Sequence, residues 1–71
     1  MMEGKEFCIE ANGRRTTDFF KDYNSAYEYF TDLWVKLDRS EKYNMINSQF
    51  AFVAIEKDNP LNVTLWSLRS C

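Results

Sequence analysis

The spacing of apolar and polar positions changes along this chain, and each change predicts an element. From Asn24 to Leu37 (NSAYEYFTDLWVKL), Ala26, Phe30, Leu33 and Leu37 recur at i, i+4, i+7 and i+11, which places them on one stripe of a helix. Tyr27, Tyr29 and Trp34 flank that stripe and widen it. Glu28, Asp32 and Lys36 fall on the far side, with Asp32 and Lys36 in the favourable i,i+4 orientation. Val35 also sits opposite the stripe, as a scattered surface apolar residue. Asn24 or Ser25 can cap the first turn, and Ser25-x-x-Glu28 has the form of a capping box.

Elsewhere the period is two. Lys5 to Ala11 (KEFCIEA) alternates, with Phe7, Ile9 and Ala11 pointing one way and Glu6, Cys8 and Glu10 the other. Asn12-Gly13 follows, a hairpin signal because both residues tolerate positive φ. The return strand spans about Arg14 to Phe20, and a two-residue turn sets Ala11 opposite Arg14, Glu10 opposite Arg15 and Phe7 opposite Asp18. A bulge at Gly13 would shift that pairing. Asp38 to Ser48 (DRSEKYNMINS) is polar and rich in turn formers, so it reads as a loop pinned to the core edge by Met45 and Ile46. Gln49 to Lys57 and Asn62 to Ser70 are strands with apolar residues on both faces, joined by a turn at Asp58-Asn59-Pro60-Leu61.

The order is strand, strand, helix, strand, strand. It predicts one α+β domain over residues 1–71, a two-layer ββαββ fold with a four-stranded antiparallel sheet and one helix on one face. A domain of 71 residues has a small core, and such a core rarely supplies more than about 3–5 kcal/mol without a staple. Cys8 and Cys71 form no disulfide framework, and a chain with no histidine offers no ordinary zinc ligand set. No cofactor or metal is expected; both thiols read as reduced and the location as cytoplasmic. No window is apolar enough to span a membrane. By elimination the staple is a protein partner, with a homodimer foremost.

Without histidine, Cys8 has no evident base to make a thiolate, and so short a chain shows no cleft of substrate size. The expectation is that the protein is not an enzyme. Around the helix, the acids Asp18, Asp22, Glu28, Asp32, Asp38 and Glu41 outnumber the bases Lys21, Lys36 and Arg39. That balance leaves no basic surface for phosphate, so nucleic acid is not the expected partner. Arg14 and Arg15 read as solvated hairpin-tip side chains, one paired with Glu10.

What remains is the sheet face away from the helix. With Lys57 opposite Asn62, Ala51, Val53, Ile55, Trp66 and Leu68 share one face, and Phe50, Phe52, Ala54, Val63 and Leu65 share the other. The first is more purely apolar and is assigned to the helix. Phe50, Phe52, Val63 and Leu65, with Arg69, then form an exposed contact patch, the first use of which is self-association. A foreign protein, or single-stranded nucleic acid stacked on Phe50 and Phe52, are the other occupants weighed.

In size, element order, acidic balance and missing catalytic groups, the chain resembles the small ββαββ or βαββ proteins encoded by phages and mobile elements. Some of these are anti-CRISPR inhibitors. They share no motif, so no residue role carries over. The resemblance implies a stoichiometric inhibitor whose acidic helix side (Glu28, Asp32, Asp38, Glu41) occupies a nucleic-acid channel of a host nuclease complex.

Overall fold

The computed structural model describes residues 6–70. Its order is β1 (Phe7–Ala11), β2 (Arg14–Arg15), α1 (Tyr23–Arg39), β3 (Tyr43–Asn47), β4 (Ala51–Glu56) and β5 (Val63–Ser70). The class is α+β with one helix on an open antiparallel sheet, but the sheet has five strands, in the order β2-β1-β5-β4-β3, not the expected four. The added strand is β3, inside the stretch expected to be a loop. Lys5 and Cys71 lie outside the described residues.

The first hairpin turns as the Asn-Gly pair requires: Asn12 has φ 53° and Gly13 φ 84°, and Glu10 faces Arg15 while Ala11 faces Arg14. Past Arg15 the ladder breaks. Thr16 N and Oγ1 both donate to Ile9 O, Ile9 N donates to Thr17 Oγ1, and pairing resumes only where Phe7 faces Phe20. Asp18 therefore does not oppose Phe7. Regular pairing would have pushed that carboxylate toward the apolar face; the irregular stretch delivers Phe20 there, against Tyr29. The bulge weighed at Gly13 falls instead beyond Arg15.

The cap of α1 is Asp22, not Asn24 or Ser25. Its Oδ1 accepts from Ser25 N at 2.7 Å, and its Oδ2 accepts from Ser25 Oγ. The helix buries Ala26 and Phe30, with Leu33, Trp34 and Leu37 packed against the core. Val35 is half-buried and not fully in water.

The second hairpin decides the sheet faces. Asn62 N donates to Asn59 O across Pro60, and Glu56, not Lys57, bonds Asn62. Phe52 consequently faces Trp66, and Val53 faces Leu65. This is one residue out of the expected register, and a one-residue slip exchanges faces. The core beneath α1 is Ile9, Phe52, Ala54 and Leu68, with Trp66 beside it. Phe52 is 2% exposed and lies 5.2 Å, centroid to centroid, from Phe30.

Candidate interaction surface

The registers place residues on the face away from α1. Asn44, Ile46, Ala51, Val53, Ile55, Val63 and Leu65 alternate with the buried set across β3, β4 and β5. Ile46, Val53 and Leu65 stand in one cross-strand line, and Ile55 and Val63 in the next. Ile46 is 59% exposed, Leu65 45% and Val63 44%; Val53 and Ile55 are half-buried. The patch is contiguous and aliphatic, and runs from β5 across β4 to the edge strand β3.

Of the patch residues expected from sequence, Val63, Leu65 and Arg69 lie on this face. Phe52 does not: it is buried under α1, because the register pairs it with Trp66. Phe50 is also on the helix side, where its ring meets Tyr23 edge-on and its carbonyl accepts from Leu68 N. Their places are taken by Val53, Ile55 and Ile46. The first two stand in an alternating strand, and only the length of the 57–61 loop hides their face. Ile46 stands in a strand that the surrounding asparagines disguise.

Asn12 serves this surface as well as its turn. Asn12 N donates to Leu65 O at 2.7 Å, and Leu65 N donates to Asn12 Oδ1 at 2.8 Å. The hairpin tip thus holds the backbone of β5 where β1 ends, and it fixes Leu65 in the patch. At the β2 end, the Arg15 guanidinium lies 4.5 Å over the Phe19 ring and donates to Thr17 O. Arg15 is engaged in packing, with Glu10 as its cross-strand neighbour.

The acidic residues are exposed but do not form one surface. Glu28 and Asp32 share the outward stripe of α1 with Val35 and Arg39, at i, i+4, i+7 and i+11. Asp38 turns off that stripe, and Glu41 lies past the helix with φ 58°. Arg39 offsets the acids at one end.

Cys8 is buried at 1% exposure, opposite Arg69. A groove of about 290 Å³ runs between α1 and the β3–β4 turn, lined by Tyr27, Phe30, Trp34, Asn47 and Gln49 among others. Its principal polar pair is already joined, with Trp34 Nε1 donating to Asn47 Oδ1 at 2.6 Å. No side chain among the buried described residues is polar or charged, apart from the Cys8 thiol, and no described helix is long and apolar enough to cross a membrane. No protein-family model matches the chain, nor does any curated protein or solved structure.

Proposed function

We propose that the protein is a non-enzymatic protein–protein interaction module that buries its open sheet face, first of all against a second copy of itself. The observation that carries this is the cross-strand line Ile46–Val53–Leu65, backed by Ile55 and Val63, on the open side of a sheet whose other face is already packed. Contiguous apolar surface of this kind marks contact sites. Two such faces stacked about 10 Å apart give a helix–sheet–sheet–helix sandwich and a second core. A small domain gains the staple it otherwise lacks.

The aromatic platform that a single-stranded nucleic acid would need is not on this face, since Phe52 lies under α1 and Phe50 faces Tyr23.

The test is solution mass across a dilution series for wild type and Leu65→Asp, with circular dichroism to confirm folding. The expected result is a wild type that self-associates and a folded variant of lower mass. A folded variant with unchanged mass would contradict the proposal.

A further inference from the structure

The two edges of the sheet are built differently. The β2 edge is a two-residue strand of arginines, followed by a break in the ladder where the hydroxyls of Thr16 and Thr17 join the bonding to Ile9. Short length, charge and irregularity are the devices that blunt an edge against pairing. The β3 edge has none of them. It is five residues long, Tyr-Asn-Met-Ile-Asn, with no charge, proline or glycine, and no strand among the described residues lies beyond it.

Its outward hydrogen-bonding groups can be assigned. Lys57 N donates to Lys42 O, and Ser48 N donates to Ala51 O, so residues 42, 44, 46 and 48 turn their backbone groups toward β4. The N–H and C=O of Tyr43, Met45 and Asn47 point away from the sheet. That set is symmetric about Met45. From these observations we infer that β3 is a self-pairing edge, joining antiparallel to β3 of a second copy about a two-fold axis at Met45.

In this register Met45 faces Met45 of the second copy and Tyr43 faces its Asn47, each pair exchanging both backbone bonds. Asn44 faces Ile46 of the second copy on the open face, in a non-hydrogen-bonded pair whose side chains approach most closely. Lys42 comes opposite a serine and Glu41 opposite a glutamine, so no like charges meet. The product is a continuous ten-stranded sheet from two five-stranded ones, with both helices on one side and the two aliphatic patches on the other. It shares with the proposed function a second copy as partner, but it uses a different surface.

The register supplies its own test. Asn44→Lys/Ile46→Lys sets lysine against lysine twice across the axis. Asn44→Glu/Ile46→Lys sets glutamate against lysine at the same places. Both pairs of substitutions are at exposed positions, and both remove Ile46 from the patch equally. By analytical ultracentrifugation the double-lysine variant should dissociate at least about tenfold more readily than the glutamate–lysine variant, which regains assembly. Equal masses for the two variants at every concentration, or a wild type that is monomeric throughout, would overturn the edge pairing. Leu65→Asp keeps β3 intact, so loss of assembly there alone reports the open face and not the edge.

Discussion

The two faces of this sheet are both apolar, yet they are made of different residues. The covered face carries the aromatic mass: Phe52 lies between Phe30 and Trp66, with Phe7 and Phe20 at its margin. The open face is aliphatic and β-branched, built from Ile46, Val53, Ile55 and Val63 with Leu65. Wide rings fill the space between a helix and a sheet, whereas short branched side chains make a flat surface that a second flat surface can meet. Hydrophobicity alone did not separate the faces; shape did.

The contrast is sharpest at two neighbouring residues. Phe52→Ala should cost about 3–5 kcal/mol, since it opens a cavity among Phe30, Ala54 and Trp66. That is a large share of the stability of a small domain, and thermal unfolding should show a variant that barely folds. Val53→Ala, one position along and on the other face, should cost about 1 kcal/mol in the dissociated protein and act chiefly on assembly. Equal losses of stability from the two would break the distinction.

A second prediction concerns how the open face is held. Asn12→Gly keeps a residue tolerant of φ 53° but removes the side-chain acceptor for Leu65 N. Urea unfolding should report a loss of about 1 kcal/mol, the value of one hydrogen bond. Asn12→Leu should lose more, because a bulky residue is strained at positive φ. The smallest effect belongs to the acidic stripe. Glu28→Lys with Asp32→Lys should change stability by no more than about 0.5 kcal/mol per site and leave self-association intact. In filter binding at two salt concentrations, wild type should show no steep salt dependence for single-stranded nucleic acid, because Phe50 and Phe52, the rings on which bases would stack, lie on the helix side of the sheet.

Some of this was legible in the sequence for physical reasons. The helix was, because four apolar positions repeat at its period and no other period competes. The tight turn of the first hairpin was, because Asn-Gly accepts positive φ at both central positions. In β4 and β5 each strand's alternation was legible, but their relative phase was not. That phase depends on whether Glu56 or Lys57 meets Asn62, and Asp58-Asn59-Pro60-Leu61 allows either. One residue of loop therefore moved Phe52 from the surface to the core, and Val53 the other way. β3 was hidden because asparagines 44 and 47 are poor strand formers that also signal turns, and an edge strand needs less of its own propensity when β4 templates it. Asn12 was legible as a turn residue, while its bond to Leu65, fifty-three positions away, depends on strand order.

The most direct test of the open face as a contact surface is methyl NMR with a soluble paramagnetic probe, followed across a dilution series. The account predicts that the methyls of Val53, Ile55, Val63 and Leu65 are shielded at high concentration and become accessible on dilution. Those of Ile9 and Leu68, under α1, should stay shielded throughout. Open-face methyls that are attenuated equally at every concentration would contradict it.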